Sequence, residues 1–363
     1  MKITTNKETM MTALGRTTNI AMKKGTMPIL STILFEKVSS DIFSVTATDL
    51  EMFSEAKYDA IIEGEGSFCV NADDMFKWVK SLPSGNIVIE HSTNGVKIST
   101  SQTSFNMVSI SGDEFPRPDV SSIEGKEVDK DSLLNLFNHT LFCVADNDPR
   151  LFLNGINFEP TENGVRCVST DGHRLAKIDV KCGDIFDKTV IIPKKGVVEI
   201  KSLLESDKEQ PKLALDGPAL IYTTPNLSLS IRLIEGDFPD YNMVIPKDAN
   251  CVAKVNKSIL SDALKRASLV AVNTKGVKMT FDNDNLTVQA SDADRGDGNT
   301  VIDCEYSSDK IEMGFNASYF IDVLNVIEDE FVYLNLTDEL SPCVVTKDSE
   351  ENFLTVIMPV RIN

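Results

Sequence analysis

The segment Val45-Thr46-Ala47-Thr48-Asp49 returns as Cys167-Val168-Ser169-Thr170-Asp171 and again as Val288-Gln289-Ala290-Ser291-Asp292. Each copy is a run of mostly apolar and small residues that ends at an aspartate, and these aspartates lie 122 and 121 positions apart. Another apolar run precedes each copy, and turn-forming residues separate the two runs, as in a β-hairpin. Repetition at a nearly constant spacing predicts three tandem copies of one structural unit.

Two helices are predicted in each unit. The first begins after Asn6, Asp129 and Asn256, whose side chains can cap the free N–H groups of a helix. In the second unit this helix carries an apolar stripe formed by Leu133, Leu134, Phe137 and Leu141. The second helix follows a short apolar strand, which is Phe68-Cys69-Val70-Asn71, Val190-Ile191-Ile192-Pro193 and Met313-Gly314-Phe315-Asn316 in the three copies.

The predicted fold class is therefore α+β, with two helices packed on antiparallel sheet in each of three domains. The domains are predicted at residues 1–120, 126–246 and 251–363, with polar linkers near 121–125 and 246–250. A last strand is predicted from Phe353 to Ile362. We refer to these units as the first, second and third repeat.

Composition restricts the class of protein. Apolar residues make up 42% and charged residues 25% of the 363 residues, which is typical of a globular protein. No apolar run approaches the ~18 residues of a membrane span, and the N-terminus lacks an apolar signal core, so a cytoplasmic location is predicted. The seven cysteines form no Cys-x-x-Cys pair, which favours buried reduced thiols over disulfides or a metal site. No metal or cofactor is predicted.

The formal net charge of −19 argues, as a total, against binding of nucleic acid, because binding to phosphates depends mostly on lysine and arginine. The distribution of the charge therefore matters more than its sum. An acidic total by itself is also typical of a protein that is kept soluble by its surface charge.

The most enzyme-like segment is Asp171-Gly172-His173-Arg174. Asp49 and Asp292 occupy the place of Asp171 in the other repeats, where no histidine follows. An aspartate shared by all three copies is better explained as a turn residue that accepts backbone N–H bonds. No catalytic residue is predicted, and a hydrolase that uses Asp171 and His173 is kept as an alternative.

Six segments carry a resemblance to a known family. They are Met27-Pro28-Ile29-Leu30, Thr48-Asp49-Leu50-Glu51-Met52, Thr170-Asp171-Gly172-His173-Arg174-Leu175-Ala176, Gly236-Asp237-Phe238-Pro239-Asp240-Tyr241, Phe315-Asn316-Ala317-Ser318-Tyr319 and Met358-Pro359-Val360-Arg361-Ile362. Together they resemble the bacterial DNA polymerase III beta subunit, the sliding clamp family, in order and over the whole chain. The resemblance implies a non-catalytic processivity factor: a head-to-tail homodimer that encloses duplex DNA without reading its sequence and is loaded by an ATP-driven clamp loader.

A size estimate agrees with a ring of two chains. A unit of about 120 residues has a radius of gyration of about 14 Å, and so a width of about 35 Å. Six such units in a circle leave a hole of roughly 30 Å, whereas three leave essentially none. A duplex about 20 Å across passes through the larger hole.

The resemblance also implies that six helices of each chain line the hole. The segments 7–24, 73–82, 130–150, 194–205, 257–275 and 316–327 sum to a charge of +5, so the remainder carries −24. A basic lining and an acidic exterior would attract phosphates to the hole. The residues predicted to face DNA are Arg16, Lys23, Lys24, Arg150, Lys194, Lys195, Lys201, Lys265 and Arg266.

A second site implied by the resemblance is a hydrophobic pocket that binds short peptide motifs of polymerases and clamp-loader subunits. Apolar walls, methionine flexibility and a few polar groups suit such a ligand. The matching residues are Leu153, Thr170, Gly172, His173, Arg174, Leu175, Pro239, Met243, Val244, Asn316, Tyr319, Leu340, Pro342, Val356, Met358, Pro359, Val360 and Arg361.

The sequence departs from the family pattern at both sites. Met243 replaces an arginine that is often found at the rim of the pocket, and the segment around Thr274 is short and lacks an aromatic residue. The dimer interface is expected to join Phe105 and Met107 of one chain to Leu269 and Val270 of the other. Asp73-Asp74 replaces a basic pair expected near that interface, which leaves a monomeric clamp-like scaffold as a further alternative.

Overall fold

The computed structural model describes residues 1–22, 25–117, 124–207, 209–246, 249–272, 275–347 and 352–361. Its α-helices are α1 (Lys7–Gly15), α2 (Ala72–Ser81), α3 (Lys130–Asn138), α4 (Lys194–Ser206), α5 (Lys257–Val270) and α6 (Ala317–Val326). Short 3-10 turns span Pro28–Ser31, Gly112–Glu114, Leu141–Cys143, Leu151–Asn154 and Tyr241–Met243. No helix in the described part of the chain is long and apolar enough to cross a membrane.

The described residues form two compact units, one of Met1–Lys130 with Val198–Leu233 and one of Asp131–Val197 with Ile234–Asn363.

The strands are numbered in chain order. The first unit contains β1 (Lys2–Asn6), β2 (Thr32–Lys37), β3 (Ile42–Thr48), β4 (Met52–Asp59), β5 (Ile61–Glu63), β6 (Ser67–Asn71), β7 (Asn86–Ser92), β8 (Gly95–Ser99), β9 (Ser104–Met107), β10 (Ile110–Ser111) and β11 (Lys126–Glu127). The second unit contains β12 (Gly155–Thr161), β13 (Gly164–Thr170), β14 (Arg174–Val180) and β15 (Val190–Pro193). The first unit also holds β16 (Lys212–Asp216), β17 (Ala219–Thr224) and β18 (Leu227–Arg232). The remaining strands, all in the second unit, are β19 (Cys251–Asn256), β20 (Gly276–Asp282), β21 (Asn285–Asp292), β22 (Gly296–Glu305), β23 (Ile311–Asn316), β24 (Phe331–Leu336), β25 (Cys343–Lys347) and β26 (Phe353–Ile357).

All strand pairs are antiparallel. The first unit has a five-stranded sheet in the order β5-β1-β7-β8-β9 and a nine-stranded sheet in the order β10-β6-β2-β3-β4-β18-β17-β16-β11. The second unit has a twelve-stranded sheet in the order β15-β12-β13-β14-β26-β25-β24-β19-β22-β21-β20-β23. The second repeat thus contributes strands to both units.

The three predicted hairpins are confirmed. β2 pairs with β3, β12 with β13 and β20 with β21, through Leu34↔Thr46, Asn157↔Val168 and Lys278↔Gln289. In each repeat the strand before the second helix pairs with the first strand of the hairpin, on the edge that the second strand leaves free. These pairs are β6 with β2, β15 with β12 and β23 with β20. The fold is therefore built from one structural unit that is repeated three times.

Asparagine side chains cap several helices, and the caps at Asn6 and Asn256 are those that the sequence predicts. Asn6 Oδ1 accepts from Thr9 N at 2.7 Å, and Asn256 Oδ1 accepts from Ser258 N and Ile259 N at 3.1 and 3.2 Å. Asn71 and Asn316 cap α2 and α6 in the same way. These bonds satisfy N–H groups that have no partner inside the helix, and so they fix where each helix starts.

Neighbouring repeats are joined by strand pairing at two junctions. β4 of the first repeat pairs with β18 of the second, and β14 of the second repeat pairs with β26 of the third. The strands at the corresponding positions of a third junction would be β9 of the first repeat and β22 of the third, and each has an open edge. β9 is the edge strand of its sheet, and β22 pairs with β19 only at Cys304 and Glu305.

Several predicted boundaries are corrected. The segments counted as helical were too long, because α1 ends at Gly15 and α3 at Asn138. Thr18 Oγ1 and Thr140 Oγ1 bond to the carbonyls of Leu14 and Leu136 at 2.8 and 2.7 Å, which competes with continuation of the helix.

The apolar stripe and the last strand also differ. Leu136, not Leu134 or Leu141, is buried beside Leu133 and Phe137 on α3. β26 ends at Ile357 rather than Ile362, because Pro359 lacks the N–H that a ladder requires. Parts of both predicted linkers, 121–123 and 247–248, lie outside the described residues, so the domain boundaries stay predictions.

Candidate functional site

A cavity of about 250 Å³ lies in the second unit, at the junction of β14 with β26. Four segments surround it: the 3-10 turn Leu151–Asn154, the turn between β13 and β14, the segment around Tyr241, and the end of β26. Its lining residues are Arg150, Phe152, Leu153, Thr170, Gly172, Arg174, Leu175, Pro239, Asp240, Tyr241, Val244, Val356 and Met358.

The floor of the cavity is apolar and well packed. Val168, Leu175, Tyr241, Val344 and Val356 form one buried cluster, against which other apolar side chains of the unit pack. The Tyr241 hydroxyl does not lie unpaired in this cluster, because it donates to a Glu159 carboxylate oxygen at 2.8 Å. A rigid apolar floor of this kind suits apolar side chains of a ligand.

The turn between β13 and β14 is organised by Asp171. Its Oδ1 accepts from the backbone N–H groups of His173 and Arg174 at 2.9 and 3.0 Å, and Asp49 makes the equivalent bonds to Glu51 and Met52. Asp292 Oδ1 accepts from Asp294 N at 3.0 Å. The prediction that this shared aspartate is a turn residue is confirmed.

Gly172 follows Asp171 with φ +85°, a left-handed conformation that glycine adopts without steric cost. A Cβ atom at this position would lie 3.3 Å from an Arg150 guanidinium nitrogen. The glycine therefore lets the turn close while keeping the wall of the cavity free of a side chain.

Arg174 connects this turn to α6. Its guanidinium donates to Asp171 at 3.1 Å, to Asp322 at 2.6 Å and to the Phe142 carbonyl at 2.7 Å. It also lies 4.6 Å from the centre of the Tyr319 ring. Burial opposes the charge of Arg174, but the hydrogen bond to Asp322 and the two carboxylate charges more than compensate, so its pKa is raised.

The chain beyond β26 is held at two points. Met358 N donates to the His173 carbonyl at 2.9 Å, and Val360 N donates to the Gly314 carbonyl at 2.8 Å. We call Met358–Arg361 the tail. These bonds place the tail between the turn that carries His173 and the strand that leads into α6.

Arg150 forms part of the cavity wall. Its guanidinium donates to both carboxylate oxygens of Asp148, at 2.9 and 3.0 Å, and these bonds lower the pKa of Asp148 to about 2. The sequence placed Arg150 among the cations facing DNA. The structure places it in the wall of the cavity, because the turn at Asn147–Arg150 lies against Gly172, and its contact with DNA stays a prediction.

Nine of the predicted pocket residues line the cavity: Leu153, Thr170, Gly172, Arg174, Leu175, Pro239, Val244, Val356 and Met358. His173 and Tyr319 stack on each other beside it, with ring centres 6.4 Å apart. Met243 and Leu340 are strongly exposed, at 83% and 84% of their surface. The structure does not place Asn316, Pro342, Pro359, Val360 or Arg361 in the lining.

Four lining residues were missed: Arg150 as a pocket residue, Phe152, Asp240 and Tyr241. Asp240 and Tyr241 belong to a segment that the sequence had singled out, so that segment could have suggested them. Thr274, expected near the pocket, lies outside the described residues.

The geometry does not favour the hydrolase alternative. The carboxylate of Asp171 bonds to backbone N–H groups and to Arg174, while the ring of His173 stacks on Tyr319. A catalytic pair requires the carboxylate to orient the imidazole, and no hydrogen bond between these two side chains is present in the described turn.

The remaining predicted DNA-facing cations have varied surroundings. Lys265 and Arg266 are exposed on α5. Lys194 pairs with Asp146 at 2.6 Å, Lys201 lies 3.8 Å from Glu205, and Lys195 is exposed. Lys23 and Lys24 lie outside the described residues.

Arg16 differs from these cations because its side chain is largely buried. It pairs with the buried Asp207 and lies 5.8 Å from the centre of the Tyr58 ring. An arginine enclosed by an acid and an aromatic ring has little surface left for phosphates, so these contacts do not support its assignment as a residue facing DNA, which stays a prediction.

Exposed apolar side chains mark the two open strand edges. Phe105 on β9 stacks on Trp78 of α2, with ring centres 3.8 Å apart, and Val108 beside them is exposed. Leu269 on α5 and Val301 on β22 are exposed at the other edge, while Val270 lies near Gly298. Trp78, Val108 and Val301 are thus further exposed apolar side chains at these edges, in addition to the residues predicted for the interface.

Family models match nearly the whole chain. Residues 1–119, 127–240 and 242–361 match the N-terminal, central and C-terminal domains of the DNA polymerase III beta subunit, respectively.

Similar proteins and structures extend over full lengths. The beta sliding clamp of Proteus mirabilis is 30% identical over 368 residues, and that of Haemophilus influenzae is 28% identical over 367, with all of both chains covered in each case. A sliding clamp structure from Bartonella birtlesii, bound to griselimycin, has a TM-score of 0.94 at 27% identity. A Caulobacter crescentus clamp structure has a TM-score of 0.93 at 26% identity, and both comparisons cover 100% of each chain.

Proposed function

The chain belongs to the DNA polymerase III beta subunit family, the sliding clamps, and from this premise we propose that two copies join head to tail into a ring around duplex DNA. Its function is that of a DNA polymerase processivity factor. The proposal concerns how this chain performs that function: its oligomeric state, its contact with DNA and its partner-binding pocket.

The repeated junction between domains carries the proposal of a dimer. Within the chain, β4 pairs with β18 and β14 pairs with β26, so each repeat offers one strand to the next. By the same rule β22 of the third repeat should pair with β9 of a first repeat, and both have open edges. Exposed apolar side chains stand beside both edges, as expected for surfaces that become buried on association.

The charge distribution supports enclosure of DNA rather than adhesion to an outer face. The exposed Lys265 and Arg266, together with Lys194, Lys195 and Lys201, lie on helices that the family places around the hole. Phosphate contacts position a protein on DNA but carry no sequence information, so such a ring can slide. The remaining, acidic surface repels duplex.

The cavity beside the tail is proposed as the site for short peptide motifs of polymerases and clamp-loader subunits. Its apolar floor would accept apolar side chains, while Arg150, Thr170 and the backbone of the tail would orient the peptide. We propose no catalytic role for Asp171 or His173, since both are engaged in the structure of the turn, and we place the protein in the cytoplasm.

Retention on DNA of different topology tests the proposal. After loading onto nicked circular DNA by a clamp loader, the protein should stay bound through gel filtration, because a closed ring cannot leave a circle. Linearising the DNA should release it. Equal retention on circular and linear DNA would contradict enclosure, and loss from both would show that the ring does not stay closed.

A further inference from the structure

The two junctions inside the chain share an electrostatic polarity. At the first, Arg16 of the first repeat pairs with Asp207 of the second. At the next, Arg174 of the second repeat pairs with Asp322 of the third. In both cases the earlier repeat supplies the guanidinium and the later repeat supplies the carboxylate, although the paired positions differ.

The third repeat carries an arginine at the matching place. Arg174 is the third residue after the turn aspartate Asp171, and Arg295 is the third residue after Asp292. Arg295 is exposed, and no hydrogen bond or ion pair of its side chain occurs within the described residues. The turn of the third repeat is one residue longer before β22 begins, because Ser291 pairs with Asp297 where Thr170 pairs with Leu175. A long, exposed arginine side chain can span that offset.

The residues that Arg174 contacts on α6 have counterparts on α2. Asn71 and Asn316 cap these helices, and Met75 and Phe320 are buried four positions later. Tyr319, which lies under the Arg174 guanidinium, therefore corresponds to Asp74. Asp322 corresponds to Lys77, which is already paired with Asp73.

The first repeat thus presents an exposed carboxylate, Asp74, at one of the two helix positions that contact the arginine in the junction between the second and third repeats, with the exposed Asp73 beside it. We propose that, in the dimer, Arg295 of one chain pairs with Asp74 and Asp73 of the other. This inference rests on the proposed head-to-tail dimer and assigns its partner as a second copy of this chain. The acidic pair, where the family resemblance leads us to expect basic residues, then has a basic counterpart across the dimer interface.

The pairing also predicts which subunits can combine. A clamp with basic residues at the positions of Asp73 and Asp74 would place like charges opposite Arg295. Like charges at an interface disfavour the wrong partner more strongly than matched charges strengthen the right one. The dimer interface should therefore favour two copies of this chain over a mixed dimer with such a clamp.

Charge reversal tests the pairing in the full-length protein. Asp74→Lys and Arg295→Glu should each raise the dimer dissociation constant by about tenfold at low salt, measured by sedimentation equilibrium. The double variant Asp74→Lys/Arg295→Glu should return to within about threefold of the unmodified protein, because the pair is restored in reverse. Both residues are exposed, so neither change should disturb folding, which circular dichroism would check.

Glu162→Lys and Lys181→Glu serve as matched controls, since they change the net charge equally at exposed positions away from the joint. The pairing would be overturned if the single reversals left the dissociation constant within about twofold of the controls. It would also be overturned if the double variant dimerised no more tightly than the single variant with the higher dissociation constant. If the unmodified chain stayed monomeric at micromolar concentration, the proposed dimer itself would fail. If it dimerised but ignored the reversals, only the pairing would fail.

Discussion

At the scale of single residues, the turns after β3 and β13 use the same backbone bonds but different side chains at their left-handed position. Gly172 adopts φ +85° and Leu50 adopts φ +76°. For a residue with a Cβ atom this conformation costs roughly 1–2 kcal/mol. Leu50 is also 57% exposed, so packing contributes little to offset the cost.

The two turns give opposite expectations for mutation. Leu50→Asn should raise the free energy of unfolding by about 0.5–1 kcal/mol, because asparagine tolerates the left-handed region better than leucine. Gly172→Ala should lower it by about 1 kcal/mol, since alanine brings a Cβ atom into a strained turn. Urea denaturation followed by circular dichroism measures both changes. A destabilised Leu50→Asn variant would mean that Leu50 makes a stabilising contact which its exposure does not reveal.

The limits of prediction at this scale follow from chemistry. The role of Asp171 could be predicted because the same residue recurs at Asp49 and Asp292 without a histidine. The burial of Arg16 could not, since its partner Asp207 lies 191 positions away and nothing local marks the pair. The place of Arg150 in the cavity wall could not be predicted either, because the sequence around an arginine in a turn does not show whether it faces solvent, DNA or a pocket.

At the scale of elements, the tail Met358–Arg361 has more influence on the site than its length suggests. β26 pairs with β14, and the strand ends shortly before Pro359, which has no N–H for the strand ladder. Met358, between the strand and this proline, lines the cavity. The hairpins and caps were predictable because they depend on local alternation and on asparagine side chains. The end of β26 was not, because apolar residues continue beyond it.

Truncation and substitution of the tail test its role. Deleting Met358 to Asn363 should abolish binding of a polymerase peptide that carries a clamp-binding motif, and Met358→Ala should weaken it by about tenfold, because an apolar wall of the pocket is lost. Fluorescence anisotropy with the labelled peptide measures the affinity. Dimerisation should be unaffected, since β25, β24 and β19 lie between β26 and β22 in the sheet.

Met27→Ala is the matched control for this experiment, because Met27 is also followed by proline and is exposed, but lies in the first repeat. It should leave peptide affinity unchanged. An unaltered affinity after deletion of the tail would contradict the assignment of the pocket.

At the scale of the whole molecule, the net charge of −19 favours a ring that encloses DNA over a protein that binds to the outside of DNA. A protein that binds the outside of DNA needs a net basic face, and its affinity falls steeply with salt. A ring needs only to remain closed, so its retention on circular DNA depends on the strength of the joint. The three-domain order was predictable from the repeated segments, whereas the division of the second repeat between two sheets depends on long-range pairing.

Unloaded protein should therefore show almost no affinity for linear duplex at physiological salt, in filter binding with micromolar protein. The loaded ring should resist moderate salt far better than any such direct binding. Salt-sensitive binding of unloaded protein to linear duplex would instead indicate a basic outer surface.

The position of β26 also has a consequence for biosynthesis. This last strand lies inside the twelve-stranded sheet between β14 and β25, and both its residue Val356 and the following Met358 line the cavity. A nascent chain exposes an unpaired edge at β14 until β26 has left the ribosome. A product terminated before β26 therefore lacks one wall of the cavity, and if the cavity binds polymerase peptides as proposed, such a product should not compete for polymerase.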